Sequence, residues 1–130
     1  MSVDIVGNFL TVIRNAIAVA KRTIEVPHSQ LKEQIAHILK EEGFIVDYRI
    51  DGEDVHKQLV VVLKYKDSES VIHEIVRVSR PGRRAYCGCD EIKPVIGGLG
   101  VTILTSNHGI ITNKQAKKLG IGGEIICTVW

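Results

Sequence analysis

A chain of 130 residues with 45% hydrophobic and 25% charged side chains is long enough to bury a core unaided and too apolar to be a disordered tail. Its net charge of +2 hides an asymmetry: residues 1–74 hold nine Lys/Arg against twelve Asp/Glu, and residues 75–130 hold eight against three. A surface that neutralises phosphates is therefore expected mainly after residue 75, and because no basic stretch leads into a long apolar run, neither a signal peptide nor a membrane span is expected and the address is cytoplasmic.

In chain order, Asp4 to Ala20 places Val6, Phe9, Leu10, Ile13, Ile17 and Ala20 at three- and four-residue spacing, one apolar face of a helix, with Gly7 weakening its first turn. Thr23 to Val26 is a short β-prone piece stopped by Pro27, and Ser29 is placed to cap a second helix running to about Glu42. Leu31, Ile35, Ile38 and Leu39 give that helix its buried stripe, and Gly43 stands where a left-handed cap is expected. Phe44 to Ile50 and Leu59 to Tyr65 are β-rich runs joined by Asp51-Gly52-Glu53-Asp54, a hairpin with a longer loop. Residues 1–65 thus read as a helix-strand-helix-strand-strand lobe, and the polar segment Lys66-Asp67-Ser68-Glu69-Ser70 marks its boundary.

Residues 66–130 read as a second lobe, mainly β with a short helix. Val71 to Val78 is apolar; periodicity alone leaves strand or short helix open, and strand is favoured. Pro81-Gly82 inside Ser79-Arg80-Pro81-Gly82-Arg83-Arg84 makes a tight basic turn. Ala85 to Cys87 leads on as a short strand, and Asp90 to Ile96 as a helical turn ended by Gly97-Gly98. A strand at Val101 to Thr105 runs into the polar loop Thr105-Ser106-Asn107-His108-Gly109. Thr112 with Gln115 is a capping-box pattern for a helix over Asn113 to Leu119. Gly122-Gly123-Glu124 reads as a turn, and Ile125 to Trp130 as the closing strand. The expected fold class is α+β, in two small packed lobes.

The ordered run Thr105-Ser106-Asn107-His108-Gly109-Ile110-Ile111-Thr112, then Ala116-Lys117-Lys118, then Gly122-Gly123-Glu124-Ile125-Ile126-Cys127 and the terminal Trp130 resembles the carboxyl-terminal signature of the bacterial-type small-subunit ribosomal protein eight family. Asp4, Leu10-Thr11 and Ile13-Arg14-Asn15-Ala16 resemble its opening helix. Val26-Pro27, Ser29, Leu31-Lys32 and the run from Leu39 to Ile45 resemble its second helix and exit. Leu63-Lys64-Tyr65 and the run from Arg77 to Tyr86 match its middle, and Gly98-Leu99-Gly100 its approach to the signature loop. The resemblance spans essentially the whole chain. It implies a structural constituent of the small ribosomal subunit that binds the central domain of small-subunit ribosomal RNA early in assembly, mainly through the carboxyl-terminal lobe, among neighbouring small-subunit ribosomal proteins. The family loop usually reads Ser-Thr-Ser-Lys-Gly. Here Thr105 and Ser106 keep a hydroxyl, Asn107 adds a donor pair, and His108 replaces a fixed charge by a group that titrates near neutrality and stacks.

As residues, Thr105 to Gly109 have ordinary turn composition and equally form a low, donor-rich tip suited to groove and sugar contacts. Arg80, Arg83 and Arg84 around a rigid Pro-Gly bend are either a solvated turn or a preset phosphate clamp. Tyr86 is a buried strand aromatic or one that stacks on or hydrogen-bonds a nucleotide. Lys114, Lys117 and Lys118 serve solubility or phosphate contact. Glu124 opposes RNA by charge, and the resemblance implies instead that it accepts hydrogen bonds that order the polar loop and takes base amino donors. With the resemblance, the expected RNA-binding set is Arg80, Arg83, Arg84, Tyr86, Thr105, Ser106, Asn107, His108, Gly109, Lys114 and Glu124.

Two other functions are open to the sequence. Cys87-Gly88-Cys89 suggests a metal- or thiol-dependent regulator, but a tetrahedral site needs four ligands and the third cysteine, Cys127, lies in an apolar strand. The odd cysteine count also argues against a disulfide framework. The acidic amino-terminal lobe suggests a protein-only interaction module. Gly97-Gly98-Leu99-Gly100 lacks the Lys-Ser/Thr ending of a phosphate loop. His28, His37, His56 and His73 pair with no nucleophile at motif spacing, and Ser106 has no nucleophile-elbow context. No enzyme, cofactor, metal or small-molecule substrate is expected.

Overall fold

A computed structural model describes residues 4–88, 92 and 99–130. Helix α1 (Ile5–Ala18) begins where the Asp4 carboxylate accepts the backbone N–H of Gly7 at 2.9 Å, satisfying one of the unpaired donors of the first turn. A Cβ on Gly7 would strike that carboxylate, so the glycine that weakens the helix also admits its cap. Val6, Phe9, Leu10, Ile13 and Ala16 are buried, one stripe at helical period. The helix ends short of Ala20, which takes φ 55° and turns the chain toward β1 (Thr23–Pro27).

Helix α2 (Gln30–Glu41) is capped by Ser29, whose hydroxyl accepts the Lys32 N–H at 3.1 Å. Gly43 leaves it at φ 82°, a conformation glycine adopts without Cβ strain. β2 (Ile45–Asp51) and β3 (Gln58–Leu63) are joined through a 3-10 turn at Asp54–His56, and β3 lies between β1 and β2 in an antiparallel three-stranded sheet. The polar segment after it is a hairpin rather than plain linker. β4 (Tyr65–Lys66) and β5 (Glu69–Ser70) pair across Asp67 and Ser68, at φ 52° and 67°, the positive pair of a type I′ turn.

Only β6 (Ile75–Arg77) of the apolar run 71–78 is strand. It joins β7 (Tyr86–Cys87), β8 (Val101–Ser106), β9 (Gly109–Thr112) and β10 (Gly123–Val129) in a second antiparallel sheet. β10 is its spine: β8 pairs along one edge, while the other edge takes β7 at Gly123 and Glu124 and β6 at Cys127 to Val129. The turn expected at 122–124 is therefore mostly strand, because two neighbours already pair there. A register shift between Ile125 and Cys127 lets Ile126 and Cys127 both be buried, as a bulge does. Helix α3 (Asn113–Leu119) follows β9 directly, with both hydrogen bonds of the Thr112–Gln115 capping box formed and Gly120 at φ 71° as its cap.

The architecture is α+β. One apolar cluster runs from Phe9, Leu10, Ile35 and Leu39 to Ile75, Ile103 and Val129, and a smaller one gathers Leu104, Ile111 and Ala116 with Ile92 and Ile121. Arg14 donates to the Ile75 carbonyl at 2.8 Å, and Arg77 reaches the Asp4 carboxylate at 3.4 Å, tying α1 to the second sheet. No described helix is long and apolar enough to cross a membrane. Apart from Ile92, the helical turn expected at 90–96, with the glycines at 97–98 and Cys89, lies outside the described residues.

Candidate nucleic-acid interface

Because β10 is flanked on both edges, Glu124 pairs with Tyr86 on one side and Thr105 on the other. Directly opposed residues of neighbouring strands share a face, so three side chains from three strands form one row. Ser106, Asn107, Gly122 and Gly123 complete the lining of an open depression around it. Tyr86 is 69% exposed, which decides against a buried aromatic. The glycines hold the strands close: a Cβ on Gly123 would land on the Thr105 carbonyl, and one on Gly122 on the Cys87 carbonyl.

The β8–β9 tip is ordered by its own side chains. The Ser106 hydroxyl accepts the His108 N–H and donates to the Gly109 carbonyl, each at 3.1 Å. His108 Nδ1 lies 2.9 Å from Asn107 Oδ1, which engages the amide oxygen and none of the amide donors. Gly109 sits at φ 93°, the left-handed position that closes a bulged hairpin turn. Ser106 thus has a turn-shaping role that sequence reasoning missed. His108 and Gly109 do not line the depression; they border a separate groove with Glu33, His37 and Tyr48 of α2 and β2.

Glu124 is the electrostatic centre of the row. Its Oε2 accepts from the Ser79 hydroxyl and from Arg84 Nη1, the latter at 3.1 Å. The Ser79 hydrogen bond first, then Arg84 by hydrogen bond and charge and Arg77 by charge, outweigh partial burial and hold the carboxyl below its usual 4.5. Arg84 is thereby partly committed to Glu124. Arg80 and Arg83 exchange backbone hydrogen bonds at 3.0 and 2.9 Å, the tight turn that Pro81-Gly82 predicts, and both side chains are exposed. Arg80 borders a groove with Asp4, Arg14 and Arg77. Lys114 lies 3.9 Å from Glu42 at the carboxyl-terminal cap of α2, away from the row. Of the expected residues, the structure unites Tyr86, Thr105, Ser106, Asn107, Glu124 and Arg84, and leaves Arg80, Arg83, His108, Gly109 and Lys114 outside the row.

Burial pushes the Cys127 thiol up to about 12, so it is no thiolate ligand near neutral pH. Cys87 is half-buried. Among the described residues no group of three or more His, Cys, Asp or Glu side chains is placed to hold a metal ion.

Fold and surface together define a small α+β protein that offers an open polar row flanked by arginines. The sequence model of the family described as "Ribosomal protein S8" matches residues 4–130. Curated relatives named small ribosomal subunit protein uS8 are similar along their whole length. That of Acidobacterium capsulatum is 51% identical over 98% of this chain and 97% of its own. Those of Coxiella burnetii and Synechocystis are 48% and 45% identical, each over 99% of this chain and over 99% and 98% of their own. The chain belongs to the ribosomal protein S8 family.

Proposed function

We propose that the chain is a structural constituent of the small ribosomal subunit, working in the cytoplasm, and that it binds the central domain of small-subunit ribosomal RNA and supports its assembly. The observation that carries this reading is the Tyr86–Glu124–Thr105 row with Ser106 and Asn107 beside it. The minor groove of A-form RNA is wide and shallow and displays 2′-hydroxyls and base edges, and irregular RNA helices splay bases open to stacking. Short polar side chains on a rigid strand reach such edges, an exposed tyrosine supplies a stacking face, and Arg80, Arg83 and Arg84 supply phosphate contacts that set register. In this reading residues 66–130 form the RNA-binding lobe. Residues 1–65, with their acidic excess, form a lobe that faces neighbouring ribosomal proteins. The relatives' shared name supports the assignment to the small subunit.

The test is binding to a central-domain RNA fragment and to random RNA over a salt series. Affinity should fall as salt rises, with a modest slope, because few basic groups release counterions. Arg83→Ala should weaken both RNAs alike and flatten the slope by about 1, as loss of one phosphate contact does. Arg84→Ala should also lower the cognate-to-random ratio, because it frees the Glu124 carboxylate from its partner. Affinity indifferent to salt, or an unchanged slope in Arg83→Ala, contradicts the clamp.

A further inference from the structure

We propose that Ser79 is a positioning residue for RNA recognition: its buried hydroxyl fixes the Glu124 carboxylate as a hydrogen-bond acceptor in the row, selecting an N–H donor on a nucleobase. The proposal rests on reading Glu124 as facing RNA.

Ser79 is 0% exposed and stands where the chain leaves β6. Its backbone N–H donates to the Ile125 carbonyl at 3.1 Å, seating it against β10 one residue from Glu124. Its Oγ accepts the Ala85 N–H at 3.2 Å and donates to Glu124 Oε2. A hydroxyl carries one proton. With the Ala85 N–H directed at Oγ, that proton goes to Glu124 Oε2, which accepts it. Arg84 reaches the same oxygen, and none of the described contacts engages Oε1. Ser79 therefore closes the arginine turn by holding Ala85 and, with the same atom, sets the acceptor.

The carboxylate lies in the depression with Tyr86, Thr105, Ser106 and Asn107, and its side chain is 18% exposed. An ionised carboxylate offers no donor. It repels phosphates and base carbonyls and accepts from the exocyclic amino groups of cytosine, adenine or guanine or from guanine N1–H. Within a basic surface this single acceptor discriminates between base edges, whereas the arginines do not. Among the described residues, the charged and titratable groups facing it are Arg84 from the turn, Arg77 from β6 and Tyr86 from β7. From β8 itself come only the uncharged Thr105 and Ser106.

The experiment compares wild-type protein with Ser79→Ala, Ser79→Cys, Glu124→Gln and the Ser79→Ala/Glu124→Gln pair. Affinities for the central-domain fragment and for random RNA are measured at fixed salt from pH 3 to 8, with folding monitored by circular dichroism. Ser79→Ala should lower cognate affinity roughly tenfold, the loss expected for one hydrogen bond to a charged group, and leave random RNA unchanged. It should also move the acid limb of cognate binding to higher pH, because Glu124 loses the strongest cause of its lowered pKa; the titration of the RNA is common to both proteins and cancels. Ser79→Cys, which keeps the volume and weakens the donor, should act in the same direction and stands in if the alanine variant unfolds. In the Glu124→Gln background the Ser79 substitution should add nothing. If Glu124→Gln leaves cognate affinity unchanged, Glu124 does not face RNA and the underlying reading fails. If Glu124→Gln weakens binding while Ser79→Ala adds its full effect on top, or shifts no acid limb, Glu124 keeps its role and Ser79 loses the one proposed.

Discussion

Replacing Ser106 and Asn107 together by alanine should lower affinity for the central-domain RNA by about 2–6 kcal/mol, from the roughly 1–3 kcal/mol of a base-edge contact at each position. Random RNA should be bound almost as before, since neither side chain is charged and the arginine turn is untouched. The two losses differ in origin. Ser106 holds the turn through His108 and Gly109, so its removal loosens the tip as well as deleting a hydroxyl. Asn107 spends its oxygen on His108 and keeps its amide donors for a ligand, so Asn107→Ala alone is the cleaner probe. The reading is checked by the cognate-to-random affinity ratio at fixed salt. A folded double variant with the wild-type ratio means that this loop does not carry recognition.

The second large effect is on stability. Gly123→Ala drives a methyl group onto the Thr105 carbonyl, a backbone atom at the end of the β8–β10 pairing that cannot rotate away. Overpacking of this kind costs about 1–3 kcal/mol, and the upper end is expected here because relief requires the strands to part. Parting them also breaks the Glu124–Thr105 register, so cognate affinity should fall with stability. Gly82→Ala is the matched control: no atom lies within 4 Å of its added methyl. Urea midpoints of the two variants decide the matter. Equal midpoints contradict the close approach of β8 and β10.

Helices were the most legible part of this sequence, because their ends carry local chemistry. Ser29 and the Thr112–Gln115 pair each act within one turn of chain. The β4–β5 hairpin was not legible: two-residue strands have no periodicity, and Asp67-Ser68 lacks the glycine that usually announces a type I′ turn. β9 was hidden between a polar loop and a helix cap, and the first residues of β10 carry glycines that read as a turn until both neighbouring strands are in place. The loop itself was legible from its composition and family signature. The row was not, since Tyr86, Thr105 and Glu124 meet only through the pairing of three distant strands. Ser79 carried no signal at all, because a serine before Arg-Pro reads as a turn residue, and its bond to Glu124 spans 45 positions.

The central claim is that this chain recognises one place on small-subunit ribosomal RNA through the face built on β7, β8 and β10. A chemical footprint on the intact RNA at physiological salt tests it most directly, run with the wild-type protein and with the Ser106→Ala/Asn107→Ala variant. The account predicts protection confined to the central domain with the wild-type protein and lost from it with the folded variant. Protection in another domain, spread without preference along the RNA, or retained by the variant would contradict it.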